Sequence, residues 1–161
     1  LLHGGSQERR RRGGTENVAG IVGFQEAVKL SRQSMQERAE LYQRLRETMI
    51  RELVGHLGSD RVIVNGHPER SYPHILNVSF PGVDSETLLI RLDLQGIAAS
   101  SGSACTAGSL QASHVLMAMG LEEDLIQSAV RFSFGYGTTE EEVVQAAEIV
   151  ADIVEALSPN A

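Results

Sequence analysis

Cysteine, lysine and tryptophan are almost or wholly missing from this chain. Its 161 residues include one cysteine (Cys105), one lysine (Lys29) and no tryptophan, and aromatic residues make up 4% of the total. A single cysteine excludes an internal disulfide and any zinc site that needs several cysteines of the same chain. The few aromatic side chains leave little material for the base stacking on which single-stranded nucleic-acid binding depends.

Long apolar runs and excess positive charge are missing as well. No stretch approaches the roughly 20 apolar residues that span a bilayer, and no secretory signal pattern opens the sequence. The formal net charge of −7 disfavours general binding to nucleic acid or to anionic membranes. The run Arg9–Arg12 is an exception, but Glu8 adjoins it and no nucleic-acid motif accompanies it. We therefore expect a cytoplasmic protein that binds neither nucleic acid nor membrane.

The pattern of apolar residues predicts two kinds of structure along the chain. A glycine- and arginine-rich segment ends at Thr15, which is a plausible helix N-cap. Long helical stripes follow, with a possible bend near Ser31 and a C-terminal cap at Gly58. From residue 60 onward, short alternating strands and capped helices predict a compact α+β unit, an antiparallel sheet with helices on one face. Thr138 and Glu141 have the spacing of a capping box before the last helix.

Cys105 lies in an unusual setting for a structural cysteine. Its neighbours in the run 100–109 are small and polar, with glycines at 102 and 108, whereas structural cysteines usually pack among apolar side chains. A reactive thiolate normally has a positive partner or a helix N-terminus nearby, and this run contains neither arginine nor lysine. The local sequence thus leaves two interpretations open, a spare surface thiol and a mobile nucleophile.

Three ordered motifs resemble the NifS/IscS-like cysteine desulfurases of the class V aminotransferases. The run Ser100–Thr106 (SSGSACT), followed by 113–121 (SHVLMAMGL), is similar to the active-site cysteine loop of that family. The opening segments 4–8 (GGSQE) and 12–17 (RGGTEN) resemble its glycine-rich elements. The segment 131–135 (RFSFG), followed by 138–142 (TTEEE), resembles its C-terminal signature. Because the motifs cover most of the chain in order, the match is specific.

The resemblance implies a pyridoxal-phosphate (PLP) enzyme of fold type I that converts L-cysteine to L-alanine. It assigns Cys105 as the nucleophile that receives sulfur as a persulfide, and Arg131 as the residue that binds the substrate carboxylate. It also assigns Thr15 a contact with the cofactor phosphate of a neighbouring subunit, which implies a homodimer. A sulfur-acceptor protein, such as an iron–sulfur scaffold or a thiolation carrier, is the implied partner. No metal site is expected.

Each of these residues also has a simpler interpretation. Arg131 can be a solvated residue on the polar side of a strand, and Thr15 can be a helix cap. His114 can lie near the cysteine or only on a helix surface. Arg9, Arg10 and Arg11 have no match in the family, so we expect them to be solvated or interfacial.

The single lysine qualifies the implied activity. A PLP enzyme needs a lysine for its Schiff base, and the surroundings of Lys29 do not match the family's cofactor-lysine motif. We therefore expect a C-terminal fragment that is inactive alone. Its expected parts are an edge of the large domain (1–25), a connecting helix (26–58) and a small domain with the cysteine loop (59–161). The alternatives are a non-enzymatic persulfide carrier or docking domain and a related PLP-dependent cysteine or selenocysteine lyase.

Overall fold

The computed structural model describes residues 3–68, 70–101 and 113–158 of the chain. Cys105 and the rest of segment 102–112 therefore lie outside the described residues. The chain groups into two compact units, Leu1–Glu37 and Arg38–Ala161. The elements within the described ranges are, in chain order, α1 (Gln7–Arg10), α2 (Val18–Gln33), α3 (Met35–Leu57), β1 (Ile63–Asn65), β2 (Ile75–Ser79), α4 (Ser85–Leu94), α5 (His114–Ala118), α6 (Glu123–Gln127), β3 (Ala129–Ser133) and α7 (Glu140–Leu157).

In the first unit, helix α2 begins two residues later than the sequence predicts. Its N-cap is Asn17, whose side chain accepts a hydrogen bond from the Gly20 backbone N–H at 2.9 Å. The prediction of Thr15 as N-cap is therefore wrong, because a second and at least equally good capping residue follows it. The break before α3 falls at Ser34, close to the bend expected near Ser31.

The core of the second unit forms between three helices and one face of a sheet. Apolar residues of α3 repeat every four positions, so they lie on one side of the helix, and Leu53 is fully buried there. Helices α4 and α7 bury matching stripes, and Gly58 ends α3 with φ of +87°, as the sequence predicts. The buried cluster also contains inward-facing residues of β2 and β3 and the residue directly after each strand: Leu76, Val78, Phe80, Val130, Phe132 and Phe134.

The sheet is three-stranded and antiparallel, in the order β1-β2-β3. Val64 pairs with Val78, and Val78 pairs with Val130 across the next strand. Since side chains alternate along a strand, the residues between these positions face away from the three-helix core. The α+β fold class that the sequence predicts is confirmed.

A smaller helical pair covers one end of the other sheet face. Leu116 of α5 and Ile126 of α6 form a separate apolar cluster with Ala129 of β3. Ser113 is the N-cap of α5, since its side chain accepts a hydrogen bond from the Leu116 backbone N–H. Within the described residues, neither of the two apolar clusters extends over the middle of that sheet face.

The capping box at the start of α7 lies one residue beyond its predicted position. Thr139 accepts from the Glu142 backbone N–H at 3.2 Å, and the Glu142 carboxylate accepts from the Thr139 N–H at 2.9 Å. Thr138 instead accepts from the Gly135 N–H and shapes the preceding turn. The predicted pair, Thr138 and Glu141, is wrong because adjacent threonines and three successive glutamates fit the motif in either register.

Candidate functional site

Four polar residues form a row across the sheet face that points away from the three-helix core. Asn65 pairs with Asn77 and Asn77 pairs with Arg131 in the strand register, and Ser100 forms an isolated antiparallel bridge with Arg131. Directly paired residues of antiparallel strands project on the same side, with Cβ atoms about 5 Å apart. We call Asn65, Asn77, Arg131 and Ser100 the polar row.

Arg131 has a fixed backbone and a side chain without a protein acceptor. Its N–H donates to the Ser100 carbonyl at 2.7 Å, and its carbonyl accepts from the Ser100 N–H at 3.1 Å. The guanidinium Nε is buried and makes no hydrogen bond within the described residues. Buried donors are normally satisfied in proteins, so this atom calls for an acceptor from elsewhere. The planar fork of arginine suits a carboxylate, which it binds with two parallel hydrogen bonds.

A chain of hydrogen bonds fixes the orientation of both asparagines in the polar row. The Ser79 hydroxyl is fully buried and donates to the Leu125 carbonyl of α6 at 2.6 Å. Having used its only hydrogen, that hydroxyl accepts from Asn65 Nδ2 at 2.7 Å. Asn65 Nδ2 also donates to Asn77 Oδ1 at 2.7 Å. The amide oxygen of Asn77 therefore faces Asn65, and its NH2 group is turned away from it.

The described residues on either side of segment 102–112 lie beside this sheet face. On the N-terminal side, Ser100 pairs with the backbone of Arg131. On the C-terminal side, α5 begins after Ser113, and Leu116 packs in the cluster that contains Ala129, two residues from Arg131. His114 is exposed on α5. Residues 97–99 belong to no strand, and Ser100 forms a single bridge.

The first unit holds the remaining predicted residue, Thr15, which is exposed. Next to it, the Arg12 side chain folds back onto the Gly14 carbonyl at 2.9 Å and the Glu16 carboxylate at 3.3 Å. The backbones of Gly4 and Gly13 approach so closely that a Cβ on Gly13 would lie 2.7 Å from the Gly4 Cα. Only glycine fits there, which explains one part of the glycine-rich motif.

PLP needs a lysine that can form a Schiff base with it, and Lys29 is the only lysine in this sequence. Lys29 Nζ lies 3.3 Å from Glu26 Oε1 on α2, and the lysine side chain is 57% exposed. This is an ordinary surface ion pair between residues one helical turn apart. The described residues therefore do not fit the cofactor by themselves.

Among the described residues, no group of three histidine, cysteine or acidic side chains is placed to hold a metal ion. In the same part of the chain, no helix has both the length and the apolar character needed to cross a membrane.

Asn65 and Asn77 of the polar row, with the Ser79 that orients them, are the part of the site that the sequence motifs missed. The alternation in β2 places Asn77 and Ser79 on the side opposite Leu76 and Val78, so the periodicity of the sequence indicates their common face but no role for it. Their proximity to Arg131 depends on the strand register, which no single-strand pattern reveals.

Comparison with known proteins identifies the family. The model of the aminotransferase class-V family matches residues 3–145. The chain belongs to this family, whose members use PLP. The NifS/IscS-like resemblance inferred from the motifs is confirmed by the similar proteins described next.

Three similar proteins define the relationship more closely. "Putative cysteine desulfurase IscS 1" of Bacillus subtilis strain 168 is 52% identical over 159 residues, covering 98% of this chain and 41% of that protein. "Cysteine desulfurase IscS" of Methanosarcina thermophila is 42% identical, covering 98% and 38%. A solved structure titled "NIFS-LIKE PROTEIN" aligns with a TM-score of 0.79 at 34% identity, covering 98% and 39%. The chain thus spans about two fifths of the length of the relatives it matches.

Proposed function

We propose that this chain is the sulfur-accepting and carboxylate-binding part of a PLP-dependent cysteine desulfurase. The net reaction is L-cysteine plus the Cys105 thiol giving L-alanine plus a Cys105 persulfide. The observation that carries the proposal is the buried, unpartnered Nε of Arg131, on a residue whose backbone pairs with Ser100, five positions before Cys105. The desulfurase names of the similar proteins support the same activity.

Arg131 would bind and orient the substrate through its carboxylate. The backbone pairing with Ser100 holds the Arg131 main chain in register. A carboxylate on the guanidinium satisfies the buried Nε, which otherwise stays unpaired at a cost of about 1–3 kcal/mol. This interaction fixes one end of an amino-acid substrate.

Cys105 would accept the sulfur. Its thiolate forms a bond to the substrate sulfur, and the bond between that sulfur and the substrate β-carbon breaks. The β-carbon keeps the electron pair and takes up a proton, which gives alanine, while the Cys105 sulfur is oxidised to the persulfide. No outside oxidant is needed. Cys105 follows Ser100 by five positions, a stretch that extends to roughly 17 Å at most, so the tether is short enough to keep the thiol near the polar row.

Several further roles belong to the same proposal. Thr15 would contact the cofactor phosphate of a neighbouring subunit, and the protein would act as a cytoplasmic homodimer. The persulfide would pass to an acceptor protein, an iron–sulfur scaffold or a thiolation carrier. The parts 1–25, 26–58 and 59–161 would be a large-domain edge, a connecting helix and a small domain. Because Lys29 does not fit the cofactor, the 161 residues alone would not desulfurate cysteine.

A hybrid protein tests this function. In it, the chain replaces the matched 159-residue segment of the Bacillus subtilis relative, whose remaining part supplies what the chain lacks. We expect the hybrid to form alanine from L-cysteine with turnover that depends on a thiol-bearing sulfur acceptor. Cys105→Ser should abolish this acceptor-dependent turnover, whereas Ser103→Ala, two residues away in the same segment, should preserve it.

Other outcomes of the same experiment contradict the proposal. Alanine and free sulfide formed by Cys105→Ser at the parent rate would indicate a lyase that needs no persulfide. A hybrid that forms no alanine, beside an active unmodified relative, would exclude the desulfurase function. If the 161-residue chain then gains sulfur on Cys105 from the active relative, the carrier function is the correct one.

A further inference from the structure

Asn77 presents a hydrogen-bond donor next to Arg131 that no other described residue uses. Its amide oxygen accepts from Asn65 Nδ2 at 2.7 Å, and no acceptor for its own NH2 group lies within hydrogen-bond distance in the described residues. The strand register places it directly opposite Arg131 on the same sheet face. The site thus offers two neighbouring donors and, from these side chains, no acceptor.

The donors and acceptors along the hydrogen-bond chain Leu125–Ser79–Asn65–Asn77, which we call the relay, require the Asn77 NH2 group to point away from Asn65. The Leu125 carbonyl can only accept, so Ser79 must donate to it and accept from Asn65. Asn65 must then turn its NH2 group toward both Ser79 and Asn77. Rotating the Asn77 amide by half a turn would place its NH2 group against the NH2 group of Asn65. The backbone of α6 therefore determines which atom Asn77 offers to a ligand.

Two adjacent donors, one of them cationic, match an anion with two oxygens. We infer that Asn77 donates a hydrogen bond to the substrate carboxylate alongside Arg131 and is thereby a specificity-determining residue. This inference rests on the proposed function, because that function supplies the amino-acid substrate. An arginine alone attracts any anion, whereas a second, neutral donor at a fixed distance favours a planar carboxylate over a single-atom anion.

Steady-state kinetics of the hybrid protein test the role of Asn77. Asn77→Ala removes a donor to a charged acceptor, so we expect KM for L-cysteine to rise about tenfold or more with a much smaller change in kcat. Asn77→Asp places a carboxylate opposite Arg131 and should raise KM further. The matched control is Gln127→Ala, which removes an amide that is exposed and bonded only to Glu123 in the described part of the chain. It should leave KM unchanged.

Substrate analogues separate a carboxylate contact from a general structural effect. Cysteamine lacks the carboxylate, so the ratio of kcat/KM for L-cysteine to that for cysteamine should fall about tenfold in Asn77→Ala. An unchanged ratio, or a KM equal to that of Gln127→Ala, overturns the inference. Equal losses for both substrates also overturn it, because they indicate disturbed folding instead of a lost contact.

A binding measurement on the 161-residue chain keeps this inference distinct from the proposed function. In the NMR spectrum, titration with L-alanine should shift the side-chain NH2 signals of Asn77 and leave those of Gln127 in place. If the hybrid forms no alanine but this shift occurs, the carboxylate contact stands and the proposed reaction fails. If the hybrid is active and the Asn77 signals do not move at saturating L-alanine, the inference fails alone.

Discussion

Removing the Ser79 hydroxyl should destabilise the protein, although the lost group is one oxygen atom. Ser79 is fully buried and joins β2 to both α6 and β1 through its side chain. In Ser79→Ala the Leu125 carbonyl loses a donor at 2.6 Å, and Asn65 Nδ2 loses an acceptor at 2.7 Å. The substitution creates almost no cavity, so the effect isolates the hydrogen bonds.

The hydrogen bonds in the structure set both an upper and a lower bound on this loss of stability. The net contribution of two hydrogen bonds to folding is about 1–3 kcal/mol together. Part of that is recovered, because the Leu125 carbonyl keeps the Ser128 hydroxyl at 3.4 Å and Asn65 keeps its bond to Asn77. We therefore expect the free energy of unfolding to fall by about 1–2 kcal/mol.

Urea unfolding followed by circular dichroism measures this difference in the 161-residue chain. The control is Ser133→Ala, the same substitution at an exposed position of β3 on the same sheet face, for which we expect a change within about 0.5 kcal/mol. If Ser79→Ala and Ser133→Ala have equal unfolding free energies, the relay does not hold α6 to the sheet. The argument for the Asn77 orientation then loses its basis.

Two further predictions concern the folded core and the last helix. Leu53 is fully buried in α3, so Leu53→Ala should lower the free energy of unfolding in urea by about 2–5 kcal/mol. Leu94→Ala, at a 77% exposed position, should lower it far less. Equal losses for the two variants would contradict the described core. Glu142→Ala removes half of the capping box and should cost several tenths to about 1 kcal/mol. Glu141→Ala keeps the box intact, so an equal or greater loss there would support the register predicted from the sequence.

Periodicity in the sequence predicts the elements of the second unit well, because packing and local preference agree there. The four-residue step of α3 and the alternation in β2 and β3 appear in the structure as buried stripes. Gly58 ends α3 as predicted and Asp84 begins α4, since each satisfies a specific backbone requirement. These signals lie within a few residues, so one sequence is enough to find them.

Competing local signals explain the errors in the caps. Thr15 and Asn17 both suit an N-cap, and the choice depends on where the chain turns, which neither residue determines alone. The capping box offers two registers for the same reason. In each case the structure selects one of two nearly equal options by a contact beyond the motif.

The site is less predictable than the fold because it depends on strand register. Arg131 is found from its motif, but its partners Asn77 and Asn65 come from strands far apart in the chain. Only the register of the sheet brings the three side chains into one row. The sequence also gives no hydrogen-bond direction, which here originates at a backbone carbonyl of α6.

Sulfur transfer to Cys105 is the central claim, and one measurement tests it directly. The hybrid protein is given L-cysteine labelled with a heavy sulfur isotope, alkylated and digested with trypsin. The tryptic peptide 92–131 contains the only cysteine of this chain. We predict that mass spectrometry finds one labelled sulfur atom on this peptide in the parent and in Gln127→Ala. Unlabelled peptide 92–131, recovered while labelled sulfide and alanine accumulate, would contradict the account.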